Sequence, residues 1–348
     1  MKQQKKSEEH SAQAPKAGKN RRKSLLIILA ILLVLAAVLF AGGYWYIKSL
    51  LGNVERHPLD ESDLGISSAE PEESSVEESV SEPETEAPDV TNVLLFGVDG
   101  RDVSQTIGRS DSIIVLSLDK THNKIKLSSI ARDTYAEVEG YGKTKINNAF
   151  SYGGPQLAVK TINQNFNLDA KDFVAVNFLQ LSEIIDYIGG VTINVDEDER
   201  EVMEGYIQEL NRLGIETEPV TETGDLLLSG GQAVAYARNR YTGNDLNRME
   251  RQREVLYAMV QAVLDMDIQK YPELISMILS QCVTSLTDEE MIAMGSWALL
   301  SKPSFEQYAL PNDDCNAHGE TINEQWHFVY DLDNAAQLLH GFIYEDAE

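Results

Sequence analysis

The sequence predicts an α/β layered domain preceded by a single transmembrane helix. Three observations carry that expectation. From Asn92 onward, short apolar runs alternate with stretches of helical period, as in domains that stack helices on a sheet. The run Leu25–Ile47 contains no charged residue and is dominated by Leu, Ile, Val and Ala. Between the two lies a stretch rich in Glu, Ser and Pro.

The apolar run comes first. At ~1.5 Å per residue it is long enough to cross a hydrocarbon core of ~30 Å. Lys16, Lys19, Arg21, Arg22 and Lys23 precede it and predict a cytoplasmic N-terminus. Tyr44, Trp45 and Tyr46 close it as an interfacial aromatic belt. A cleaved signal peptide is the rival, but its apolar core would be shorter, and no A-x-A site precedes a polar start. The expected organisation is a basic cytoplasmic tail over 1–23, a transmembrane helix over 24–48, an acidic stalk over 49–90 and an extracellular folded domain over 91–348. From Asn53 to Val90 too little apolar surface is available to offset chain entropy, so the stalk is expected to be disordered and self-repelling.

Within the domain, Val93–Phe96, Ile113–Leu118 and Ile125–Ile130 read as strands. Helical patterning covers Gln156–Phe166 and Leu179–Ile188, with strands at Phe173–Val176 and Val191–Val195. Ser229-Gly-Gly-Gln232 has the form of a capping box, starting a helix that ends near Arg238. A long amphipathic helix runs from Asp245 to Met266, and Thr287-Asp-Glu-Glu290 caps another. Phe305–Leu310 is a late strand and Asp333–Phe342 a last helix.

Composition removes several functions. The chain has 348 residues and a net charge of -27, which disfavours DNA, RNA and anionic headgroups as general partners. Cys282 and Cys315 lack CxxC spacing, which argues against a zinc or redox motif; a disulfide and two buried thiols both stay open. There is no GxxxxGK[ST], GxGxxG, GxSxG or HExxH, and the histidines show no ligand spacing.

What remains is a set of Asp and Arg residues at element ends. Asp99 follows the first strand, Arg109 and Asp111 precede the second, and Arg132 and Asp133 follow the third. On the long helix Asp245, Arg248 and Gln252 fall within about 60° of each other, in line with the apolar stripe of Met249, Leu256, Met259, Val260 and Val263. Glu250 and Glu254 fall on the opposite side. Burying a carboxylate, a guanidinium and an amide unpaired costs several kcal/mol, so these groups must answer one another or line a cavity. Arg238 and Arg240 are near enough to join them. Guanidiniums bind phosphate oxygens in pairs, and paired aspartates suit Mg²⁺, so the set fits a pyrophosphate. Asp–Arg salt bridges tying the domain together fit the spacing equally well.

At these residues the sequence resembles the LytR-CpsA-Psr family of cell-envelope proteins. The matching stretches are Asn92-Val-Leu-Leu-Phe-Gly-Val-Asp99, Gly108-Arg-Ser-Asp-Ser-Ile-Ile-Val115, Ser129-Ile-Ala-Arg-Asp-Thr134 and Lys145-Ile-Asn-Asn-Ala-Phe150. They continue with Tyr187-Ile-Gly-Gly-Val191, Leu228 to Arg240, and Asp245-Leu-Asn-Arg-Met-Glu-Arg-Gln252. Ala131 is a departure, standing where the family usually has proline.

The resemblance implies a mixed central sheet sandwiched by helices, outside the membrane of a Gram-positive-type cell. It implies an Mg²⁺-dependent phosphotransferase, Mn²⁺ being an alternative, that moves a glycopolymer from an undecaprenyl-pyrophosphate carrier onto peptidoglycan. By the family pattern Asp99 and Asp111 hold the metal, and Arg132 shares the centre of the chemistry with them. Arg109, Arg132, Arg238, Arg240, Arg248 and Gln252 bind the pyrophosphate. Asp133, Asp245 and Lys145 support them, and the prenyl chain occupies an apolar pocket between helices and sheet. A hydrolase of the same lipid and a non-catalytic lipid or glycan receptor are the alternatives. Direct gene regulation is disfavoured, because a tail of about two dozen mostly polar residues is too short to fold into a DNA-reading module.

Overall fold

The computed structural model describes residues 55–66, 88–99, 108–240 and 245–345. The strands are β1 (Glu55–Arg56), β2 (Val90–Val98), β3 (Ser110–Asp119), β4 (Lys124–Ile130), β5 (Tyr135–Val138), β6 (Gly142–Lys145), β7 (Asp172–Asn177), β8 (Val191–Val195), β9 (Gly224–Leu228), β10 (Val283–Thr284), β11 (Ser304–Leu310), β12 (His318–Ile322) and β13 (Gln325–Val329). The helices are α1 (Asn148–Phe166), α2 (Phe178–Tyr187), α3 (Glu197–Arg212), α4 (Gly230–Arg238), α5 (Asp245–Leu264), α6 (Tyr271–Gln281), α7 (Asp288–Ser301) and α8 (Leu332–Tyr344).

Seven strands form one mixed sheet in the order β1-β10-β7-β2-β3-β4-β11. β2 runs parallel to β7 and antiparallel to β3, and β11 runs parallel to β4. Side chains alternate across this sheet, as the two-residue period requires. On one face Leu94, Phe96, Ile113 and Val115 pack with Phe150 and Phe166 of α1 and Leu339 and Ile343 of α8. On the other, Ile114, Leu118, Ile125 and Leu127 meet Leu256 of α5 and Trp297 of α7. A separate apolar cluster joins Ile185, Met203, Ile207, Leu210, Val234 and Val255 from α2, α3, α4 and α5. The expected helix–sheet–helix layering is therefore present.

Two expectations change. Residues 55–66 fall in the stretch read as a disordered stalk, yet they are folded against the domain. β1 extends the sheet beside β10, Leu64 is 1% exposed, and the Leu64 carbonyl accepts a hydrogen bond from Asn163. Leu59, Leu64 and Ile66 supply the apolar contacts that the average composition of the stretch conceals. Second, Glu254 does not simply face water: its carboxylate accepts the Tyr236 hydroxyl at 2.5 Å. The buried Arg251 on that side of α5 makes the helix bury more than one stripe.

Among the described residues no helix is long and apolar enough to cross a membrane. The run Leu25–Ile47 lies outside the described residues, as does most of the stalk. Cys282 and Cys315 are both buried and free, which resolves the open choice in favour of two thiols.

Candidate active site

The charged residues converge where β2 and β4 end and β3 begins. Asp99 follows β2, and its backbone N–H donates to the Arg109 carbonyl at 3.0 Å, which sets these two residues side by side. Asp111, near the start of β3, is the hub. Its carboxylate accepts from Arg132 Nη1 at 2.5 Å and from Arg240 Nη2 at 3.4 Å, and its backbone carbonyl accepts from Arg248 Nη2 at 3.2 Å. One aspartate therefore gathers arginines from the end of β4, the end of α4 and the start of α5.

Each arginine is aimed by its element. Arg132 follows β4, where the Ala131 N–H donates to the Leu310 carbonyl at 2.8 Å. A proline at this position would have no such donor, so Ala131 lets β4 stay paired to β11 up to the arginine. Asp133 lies 3.6 Å from Arg132 Nε and accepts from Lys145 Nζ at 2.7 Å, holding the guanidinium from behind. Arg238 and Arg240 sit at the end of α4. Ser229 and Gln232 close its capping box, and Gly230 donates to Asp186 at 2.7 Å. A Cβ on Gly230 would fall 2.0 Å from the Ser182 carbonyl oxygen, so only glycine lets α4 approach α2 this closely.

Arg238 donates to Glu209 at 2.9 Å and lies 4.9 Å over the Phe178 ring and 5.7 Å from the Tyr206 ring centre. Tyr206 also accepts the Arg240 N–H at 3.3 Å. Arg248 is 2% exposed, as the core-facing register of α5 requires. Asp245 begins α5.

Asp99, Asp111, Arg238, Arg240, Arg248 and Gln252 line a single cleft of about 480 Å³, together with Phe178, Tyr206 and Glu209. An apolar pocket of about 210 Å³ adjoins it, between the sheet and helices α2, α5 and α6. Leu95, Ile114, Val174, Leu181, Leu256 and Met259 are among its walls, while Phe178 and Gln252 line both cavities. Arg132 joins the cleft through Asp111, and Arg109 flanks Asp99 at the rim.

The Asp99 carboxyl is held above the ordinary carboxylate range, first by desolvation and then by the Asp111 carboxylate, against the opposing pull of Arg238, Arg109 and Arg132. A divalent cation fits this pair, because it relieves their mutual repulsion and can complete its shell with phosphate oxygens and water. Both Asp111 carboxylate oxygens are engaged by arginines, so that cation would share Asp111 with them. Among the described residues no group of three or more His, Cys, Asp or Glu could hold a metal alone.

Sequence reasoning missed Phe178, Tyr206 and Glu209, which shape the cleft. It also missed Arg251, whose Nε donates to Glu199 at 2.8 Å and whose Nη1 donates to the Asn239 carbonyl at 3.2 Å, bracing the residue between Arg238 and Arg240. The Asp196-x-x-Glu199 capping box that starts α3 was the available signal for that helix.

The sequence model of the LytR_cpsA_psr family matches residues 61–341. The chain belongs to this family. Among LytR_cpsA_psr relatives, the polyisoprenyl-teichoic acid–peptidoglycan teichoic acid transferase TagU of Oceanobacillus iheyensis is 32% identical over 250 residues, covering 69% of this chain and 71% of that protein. Two solved structures share the fold. B. subtilis TagV has a TM-score of 0.58 at 24% identity, covering 74% of this chain and 98% of that one. The family protein YwtF (TagT) with bound octaprenyl pyrophosphate lipid has a TM-score of 0.54 at 23% identity, covering 73% and 90%.

Proposed function

We propose that this LytR_cpsA_psr protein transfers a teichoic-acid-type or other wall glycopolymer from a polyprenyl-pyrophosphate carrier, undecaprenyl in the cell, to peptidoglycan. The observation that carries the proposal is the adjoining of an arginine-lined cleft and an apolar pocket through Phe178 and Gln252. A polyprenyl pyrophosphate has the same two-part character. The transferase names of the relatives agree with this reading.

In this mechanism Arg132, Arg238, Arg240 and Arg248 bind the phosphate oxygens, with Arg109 at the rim and Gln252 at the junction of headgroup and tail. The phosphates take over from the Asp111 carboxylate at Arg132 and Arg240 and from the Glu209 carboxylate at Arg238. A muramic-acid hydroxyl then attacks the phosphorus proximal to the sugar. The bond from that phosphorus to the bridging oxygen breaks, polyprenyl phosphate leaves, and the hydroxyl proton passes to solvent. Fixed guanidiniums stabilise the charge that builds on the phosphoryl and leaving oxygens, where preorganised donors lower a barrier most effectively. Mg²⁺, or Mn²⁺, bound by Asp99 and Asp111 would add further charge neutralisation. Asp133, held by Lys145, positions Arg132.

The predicted single-pass anchor, with a cytoplasmic N-terminus, would hold this domain on the outer side of the cell membrane beside its lipid substrate. The test is to incubate the full chain with a lipid-pyrophosphate-linked glycopolymer, Mg²⁺ and a peptidoglycan acceptor. Polymer joined to acceptor supports the transferase. Free sugar phosphate would instead make it a hydrolase, and neither product would make it a receptor.

A further inference from the structure

The hairpin β12–β13 lies well beyond the last of the matching sequence stretches, at Gln252, yet it is attached to the segment that carries Arg132. The Phe328 N–H donates to the Asp133 carbonyl at 2.9 Å, and Phe328 pairs with Thr134 as a parallel bridge. On the buried side, the His327 ring meets Tyr135 edge-on at 5.0 Å. The segment that carries Arg132 and Asp133 is therefore hydrogen-bonded directly to this hairpin.

The outer side of the hairpin is an aromatic shelf. Trp326 is 43% exposed, and its ring meets Phe328 edge-on at 4.5 Å. Gly319, paired with Phe328 on the opposite strand, lies under the indole: a Cβ there would fall 2.7 Å from Trp326 Nε1. The absent side chain lets the ring lie across the strand pair instead of projecting into water. Trp326 is two strand residues from Phe328, so its backbone lies ~7 Å along the strand from the Asp133 contact.

The surrounding chemistry narrows the occupant. Residues 318–329 contain no Lys or Arg but do contain Glu320 and Glu324. His318 lies 3.6 Å from Glu320, and Thr321 pairs with Trp326 across the hairpin. A phosphate-rich polymer is repelled by such a surface. An uncharged sugar ring suits it, because its C–H face is attracted to the negative face of the indole while its hydroxyls and amides reach the neighbouring polar groups.

We propose that Trp326 on the β12–β13 hairpin is a stacking platform for the neutral glycan backbone of the acceptor, placing its hydroxyl beside Arg132. This assignment rests on the transferase reading above. A β-1,4-linked N-acetylglucosamine tetrasaccharide serves as the probe, titrated calorimetrically into the full chain in detergent. Saturable binding is expected, weakened about tenfold or more by Trp326→Ala and largely retained in Trp326→Phe. Gly319→Ala should also weaken it, since it displaces the ring without removing it. Absence of saturable binding to the unaltered protein, or affinity unchanged by both Trp326→Ala and Gly319→Ala, overturns the platform. So does Trp326-dependent binding of poly(glycerol phosphate) in place of the tetrasaccharide. Polyprenyl pyrophosphate is titrated into the same samples. Lipid binding with Trp326-independent saccharide binding removes the platform alone, whereas Trp326-dependent saccharide binding without lipid binding supports the platform and removes the transferase reading.

Discussion

Arg251→Met should separate the brace of the site from the site itself. Arg251 and Glu199 are 6% and 9% exposed and form an ion pair at 2.8 Å. Glu199 is also committed through its other oxygen, which accepts the Asp196 N–H at 3.1 Å in the cap of α3. Removing the guanidinium leaves a buried carboxylate and the Asn239 carbonyl without a donor that both now have. Breaking one side of a buried pair costs about 3–5 kcal/mol. At roughly 2–4 °C per kcal/mol for a domain of this size, the melting temperature should fall by about 6–20 °C. Adding Glu199→Gln removes the stranded charge and keeps an acceptor for the cap, so the double variant should recover more than half of the loss. The assay is thermal unfolding of the full chain, with polyprenyl-pyrophosphate affinity measured alongside. Affinity should fall because Arg238 and Arg240 flank Asn239, which loses the Arg251 brace. A single variant that melts within about 2 °C of the unaltered protein and binds the lipid equally well would refute this reasoning.

Three further outcomes follow from the same contacts. Glu209→Gln removes the counter-charge of Arg238 from a pair whose carboxylate side chain is 46% exposed; such a pair is worth at most about 1 kcal/mol, so pyrophosphate affinity should rise by up to about fivefold, read by calorimetry. For the buried Asp119, burial alone would raise the carboxyl, but hydrogen bonds from His122 and Lys126 outweigh it and hold the group below the ordinary range. Asp119→Asn should therefore destabilise the protein at neutral pH by leaving the buried Lys126 without its counter-charge. In urea titrations the gap from the unaltered protein should close as the pH falls below about 4, through the depressed native value, where the unaltered protein loses the same contribution. Met259→Trp should fill part of the apolar pocket, weakening polyprenyl pyrophosphate about tenfold or more in calorimetry while leaving inorganic pyrophosphate unaffected.

Much of this was legible where local rules agree with tertiary packing. The strand Val191–Val195 and the helix from the Ser229 cap to Arg238 match the expected positions, since alternation and capping are local signals. The start of α5 and the burial of Arg248 were legible because helical spacing tied polar residues to an apolar stripe. α3 was missed because its run of glutamates hides three buried apolar residues, Met203, Ile207 and Leu210. β5 and β6 form a short hairpin of four-residue strands, too brief for a pattern to emerge, and β12 is largely exposed and polar. The charge constellation was legible residue by residue, but its hub was not. No spacing rule states that Asp111 meets Arg132, Arg240 and Arg248 together, because those contacts span three separate element ends.

The most direct test is the affinity of the full chain for polyprenyl pyrophosphate, compared with Arg132→Ala and Arg238→Ala. Each substitution removes charge-assisted contacts worth about 1.5–3 kcal/mol, so each should weaken binding by roughly ten- to a hundredfold with little change in melting temperature. Unchanged affinity in both folded variants would mean that the cleft does not hold the headgroup.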